Sequence, residues 1–92
     1  MEVRWSPRAA EELSRIVEHV RKDSPETARQ IAGTVYERAG ALSEFPYRGR
    51  IGRVQGTREL PLPPLPFVVV YRVLGDHAVE IANVVHGAQR WP

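Results

Sequence analysis

Three kinds of side chain in this 92-residue chain could do chemistry: three histidines, a run of arginines, and the few carboxylates near them. His86 closes an apolar run. An unperturbed imidazole titrates near pH 6.5, so His86 could give or take a proton close to neutrality. Arg58 or Arg72 could hold a phosphate, and Glu59 or Glu80 could be a second proton-transfer group. These are the parts of a metal-free RNA cleavage. The 2′-hydroxyl attacks, one group takes its proton, another protonates the leaving oxygen, and a cation steadies the charged intermediate. His19, His77 and His86 lack metal-ligand spacing and there is no cysteine, so neither a metal site nor a disulfide framework is expected. No dinucleotide fingerprint, P-loop, zinc-protease helix or EF-hand loop occurs, so no cofactor is expected.

The densest charge lies in FPYRGRIGRVQGTREL, Phe45 to Leu60. Arg48, Arg50, Arg53 and Arg58 stand there against one acid, Glu59, with Gly49, Gly52 and Gly56 between them. The net charge of +2 is too small to announce a nucleic-acid binder, but twelve arginines against one lysine, Lys22, is a marked bias. Arginine presents a planar fork to carboxylates and phosphates, which suits specific contacts. The cluster fits a solvated loop, a nucleic-acid surface or a dock for an acidic protein segment. A nucleic-acid surface also wants stacking aromatics, and after Phe45 the cluster offers only Tyr47.

The elements that must position these groups can be read from periodicity. Glu2 to Trp5 alternates as a short strand. Ser6-Pro7 starts an amphipathic helix carrying Ala9, Leu13, Ile16, Val17 and Val20 on one face. Ser24-Pro25 repeats the device, and a second helix carries Ala28, Ile31, Ala32, Val35, Tyr36, Ala39 and Leu42 on its apolar face before ending near Ser43-Glu44, ahead of Phe45-Pro46. The short break predicts an antiparallel helical hairpin. Arg53 to Leu60 reads as a strand bent at Gly56, and PLPPLP, Pro61 to Pro66, as a rigid connection. Phe67–Val73 and Ala78–His86 read as a β-hairpin turning at Leu74 to His77. The expected fold is α+β, in the order β-α-α-β-β-β, with the helical hairpin on one face of a small antiparallel sheet.

Alternation directs Phe67, Val69, Tyr71 and Val73 toward the helices, with Val79, Ile81 and Val85 from the next strand. Arg72, Glu80 and His86 are then expected together on the open face. The chain is read as one domain, residues 1–92. It shows no secretory h-region and no apolar run of membrane-spanning length, so the cytoplasm is the expected location and no membrane partner is expected.

Several stretches together resemble the RelE/ParE superfamily of bacterial type II toxin–antitoxin toxins. They are W-S-P-R-A-x-x-x-L (Trp5 to Leu13), S-P-x-x-A (Ser24 to Ala28), F-P-x-x-G-R (Phe45 to Arg50), G-T-R-E-L (Gly56 to Leu60), L-P-F-V-V-V-Y-R-V (Leu65 to Val73) and V-V-H-G-A-Q-x-W (Val84 to Trp91). The resemblance covers essentially the whole chain. It implies a growth-inhibiting toxin, of the kind found in plasmid stabilization modules, neutralised by an antitoxin whose C-terminal segment wraps it. Operator DNA would be reached only through that antitoxin. RelE-like members are mRNA interferases that cut in the ribosomal A site; ParE-like members poison DNA gyrase.

Where ribonuclease members carry an arginine before the V-Y of the third sheet strand, this chain has Val68. His86 falls where some of them place a histidine, though ParE-like members often have one there too. The resemblance therefore implies a ParE-like gyrase inhibitor first. The alternative is a ribosome-dependent mRNA endonuclease using Arg58 and His86, and a third reading is a degenerate toxin acting mainly with its antitoxin as a repressor. In each, Arg48, Arg50, Arg53, Arg58 and Arg72 are the expected surface for antitoxin or target.

Overall fold

Ser6 and Ser24, each followed by proline, become helix N-caps in the computed structural model, which describes residues 1–88. The Ser6 hydroxyl accepts the Ala9 N–H at 3.0 Å, and the Ser24 hydroxyl accepts the Thr27 N–H at 3.2 Å. Each satisfies a first-turn donor that has no carbonyl of its own. Helix α1 spans Pro7–Arg21 and α2 spans Pro25–Gly40, with a 3-10 turn over Ala41–Ser43. The hairpin and its end before Phe45 are as expected. Ala9 and Leu13 from α1, and Ala28, Ile31, Val35 and Ala39 from α2, are buried.

The helices cover one face of a five-stranded sheet: β1 (Glu2–Trp5), β2 (Arg50–Ile51), β3 (Arg58–Pro61), β4 (Phe67–Leu74) and β5 (Ala78–His86), ordered β1-β5-β4-β3-β2. The sheet is antiparallel from β2 through β5, but β1 pairs with β5 in parallel, so it is mixed rather than wholly antiparallel. The single bent strand expected over Arg53 to Leu60 is instead a hairpin. Gly56, at φ 82°, takes a left-handed turn position, and the Gly52 N–H donates to Thr57 O at 2.9 Å, closing β2 onto β3. The proline run connects β3 to β4 as expected, and Leu62 turns from it into the core.

Val69, Tyr71, Val79 and Ile81 face the helices as alternation requires. Beyond Ile81 the alternation changes. Tyr71 pairs with Ile81 but Val70 pairs with Asn83, so Ala82 is an extra residue, a β-bulge. The bulge reverses the faces that follow. Val84, not Val85, joins the helix-side core, and His86 falls opposite Phe67. The expected grouping of Arg72, Glu80 and His86 is therefore corrected. Arg72 and Glu80 are direct cross-strand partners, while His86 leaves their face. Within the last motif, Gln89 and Trp91 lie outside the described residues.

Candidate functional site

The arginine stretch begins where α2 has ended and the chain must return to the sheet. Two side chains pin that return. The buried Tyr71 hydroxyl accepts the Gly49 N–H at 2.8 Å and donates to Pro46 O at 2.8 Å. Arg58, opposite Tyr71 in register, donates to Gly49 O at 2.7 Å and Tyr47 O at 3.4 Å. Gly49 is required by this approach, since a Cβ there would lie 2.7 Å from the Tyr71 ring. Burial pushes the Tyr71 phenol above its ordinary 10.0, against the Gly49 hydrogen bond and the Arg58 charge, so it keeps its proton at neutral pH.

Pinned this way, the loop displays aromatic and cationic groups side by side. Phe45 is 53% exposed and Tyr47 63%, while Ile51 on the edge strand reaches 80%. The Arg48 guanidinium stands 4.9 Å from the Phe45 ring centre, and Arg58 4.9 Å from that of Tyr47.

On the open face the anchor is Glu59. It is buried, yet its Oε1 accepts from Arg50 at 3.0 and 3.3 Å and its Oε2 accepts the Arg53 N–H at 3.0 Å. Burial alone would raise this carboxyl. The hydrogen bonds from Arg53 and Arg50, with their positive charges, outweigh burial and hold it below its ordinary 4.5. Beside it lies a shallow hollow floored by Val68, Val70 and Val85, with Arg50, Arg53 and His86 at its margin. Farther along, Arg4, Glu80 and Arg72 are neighbours in register across β1, β5 and β4.

The five candidate arginines thus fall into two groups. Arg48 and Arg58 belong to the aromatic loop; Arg50 and Arg53 gather around Glu59, with Arg72 on the same sheet face nearer Glu80. His86 packs edge-on against Phe67 at 5.8 Å, and its Nδ1 accepts the Ala88 N–H at 3.1 Å. Arg58 and His86 are not brought together. Their β4 partners, Tyr71 and Phe67, are four positions apart on opposite sides of that strand, which places the two Cα atoms about 16 Å apart. Glu59, read from sequence as a proton-transfer candidate, is already engaged by its own loop.

One polar anchor escaped sequence reading. Glu12 on α1 accepts the Val84 N–H at 3.0 Å and the Asn83 side-chain amide at 3.1 Å, covering the edge of β5 where β1 has ended. The small and polar pair Ala82-Asn83, interrupting an apolar run, was the available signal. Among the described residues no cluster of acidic, histidine or cysteine side chains could hold a metal, and no helix is long and apolar enough to cross a membrane.

Comparison with known proteins agrees with this geometry. The family model for the ParE toxin of the type II toxin–antitoxin system, parDE, matches residues 3–91. A putative toxin, Y4kP, of Sinorhizobium fredii is 39% identical over 90 residues, 98% of this chain and 92% of that protein. The toxin RelE2 of Caulobacter vibrioides is 34% identical over 88 residues, 96% of this chain and 97% of its own. A solved structure of the chromosomal ParDE system from P. aeruginosa superposes with a TM-score of 0.83 at 28% identity, covering 94% of this chain and 95% of that one.

Proposed function

This chain belongs to the ParE toxin family of type II toxin–antitoxin systems, and from that premise we propose that it inhibits growth by binding DNA gyrase and is neutralised by a cognate antitoxin. The toxin works in the cytoplasm as a binding protein, without a catalytic centre of its own. The observation that carries this reading is the separation of the two candidate catalytic groups. Arg58 is engaged with the carbonyls of Gly49 and Tyr47, and His86 stands beyond β4 against Phe67. Val68, where ribonuclease relatives carry an arginine, lies on the floor of the hollow with Val70 and Val85 and cannot stabilise a charged phosphorane.

The antitoxin's acidic segment docks along Arg48, Arg50, Arg53, Arg58 and Arg72, with Phe45 and Tyr47 as apolar anchors. Exposed arginine beside aromatic rings is the composition of energetically dominant interface residues. DNA contact with the operator belongs to the antitoxin.

Purified toxin should block gyrase supercoiling or trap cleaved DNA, and stoichiometric antitoxin should relieve the block. Full supercoiling at saturating toxin would rule the reading out. Ribosome-dependent mRNA cleavage is the competing mechanism. It requires mRNA cuts during toxic expression that disappear in Arg58→Ala and His86→Ala, and their absence would dismiss it.

A further inference from the structure

Among the described residues, the other end of the sheet also presents backbone groups with no strand partner. β1 is an edge strand, and in its parallel ladder the Glu2 N–H donates to His77 O at 3.0 Å and the Ser6 N–H to Ile81 O at 2.9 Å. Parallel pairing alternates, so the backbone groups of Glu2, Arg4 and Ser6 point at β5, while those of Val3 and Trp5 point outward. The side chains alternate too. Val3 and Trp5 pack toward the helix-side core, whereas Glu2 and Arg4 project from the other face, 3.1 Å apart.

We propose that this edge pairs with β1 of a second copy of the same chain, antiparallel, about a two-fold axis through Val3. Charge selects the register. Only residues whose backbone points outward can exchange hydrogen bonds, so outward residues must face one another and the axis must pass through a residue rather than between two: through Glu2, Val3 or Arg4. An axis through Glu2 sets Glu2 against Glu2, and one through Arg4 sets Arg4 against Arg4. The axis through Val3 sets Glu2 of each copy against Arg4 of the other, and like charges directly opposed are unfavourable. In that register Val3 exchanges two hydrogen bonds with its counterpart, and the Trp5 N–H meets the Met1 carbonyl of the other copy.

The helix side of the same edge is suited to burial. Trp5 and Tyr36 pack at 5.0 Å between ring centres with their planes tilted by 49°, and Tyr36 is 54% exposed and Met1 37%. In the two-fold pair each Trp5–Tyr36 pair meets the other copy's Met1, and thioether–aromatic contact is favourable. The result is an isologous dimer that joins two five-stranded sheets into one. It leaves the arginine loop exposed at both outer ends. An edge of four residues buries less than the ~1,200 Å² of a stable interface, so the dimer is of the weak, concentration-dependent kind. This inference does not depend on the gyrase reading.

Sedimentation velocity of the purified full chain at rising concentration tests it. Wild type should move from monomer toward dimer. Glu2→Arg places like charges opposite each other twice and should weaken association at least tenfold, and Arg4→Glu should do the same. An equimolar mixture of those two variants should associate like wild type, because every facing pair is again of opposite charge. Val3→Pro removes the outward N–H without touching the β5 ladder and should abolish dimers. Thermal melting of each variant separates folding from association, which matters for Arg4→Glu because it sits beside Glu80. The proposal is overturned if wild type stays monomeric throughout, if folded Glu2→Arg and Val3→Pro associate like wild type, or if mixing two folded charge variants restores nothing.

Discussion

Replacing Glu59 by Gln tests the account of how the arginine stretch is held. The substitution keeps the shape and removes one acceptor. In the wild type both carboxylate oxygens accept: Oε1 from the Arg50 guanidinium, Oε2 from the Arg53 N–H. Glutamine has a single oxygen, so its amide N–H₂ must confront one of those donors. The bond between the buried carboxylate and the Arg53 N–H is charge-assisted, and such bonds contribute about 1.5–3 kcal/mol. Arg50 is 56% exposed in its side chain, so its ion pair adds about 0–1 kcal/mol after solvent screening. The expected loss at pH 7 is therefore about 1.5–4 kcal/mol, read as a lower urea midpoint with unchanged slope.

The pH dependence gives a second, independent reading. The folded-state carboxyl titrates below its ordinary value of 4.5, so the stability it contributes is present above that value and is lost as pH falls through the lower folded value. Wild type and Glu59→Gln should therefore converge in strongly acidic buffer. Arg50→Ala alone should cost no more than about 1 kcal/mol. Equal midpoints at pH 7, or a gap that persists unchanged at about pH 2, would show that Glu59 is not the anchor.

Tyr71→Phe should cost about 1–3 kcal/mol, because it leaves the Gly49 N–H and Pro46 carbonyl without their partner; faster hydrogen exchange at the Gly49 amide would report the loosened loop. Leu13→Ala and Ile31→Ala should each lower stability by about 2–5 kcal/mol in urea titrations, since both side chains are buried between the helices and the sheet. Arg48→Ala should weaken antitoxin binding by roughly three- to tenfold in calorimetry at low ionic strength, and added salt should shrink that difference because the site is exposed. An affinity indifferent to Arg48 would move the antitoxin to another surface.

Much of the fold was legible because its signals are local. Ser-Pro twice, followed by apolar residues at helical spacing, specifies two capped helices without reference to anything else in the chain. The alternation of Phe67 to Val73 orients its strand for the same reason, since a strand's two faces follow from the pleat alone. The order of the elements and the family motifs were also present in the linear chain, and they led to the ParE relationship that the comparisons bear out. The β4–β5 hairpin was legible because its turn is local, but pairing between distant segments and the details of register were not. The parallel partner of β1 and the bulge at Ala82 are decided by which strands lie side by side, and one extra residue there moved His86 away from Arg72 and Glu80. The arginine stretch behaved likewise. Residue types and charge marked it as a surface, but only the folded chain could set Arg58 opposite Tyr71, bury Glu59 against Arg50 and Arg53, and so separate the arginines that hold the loop from those it displays. Hydrogen bonds and burial join residues distant in sequence, and no local pattern encodes them.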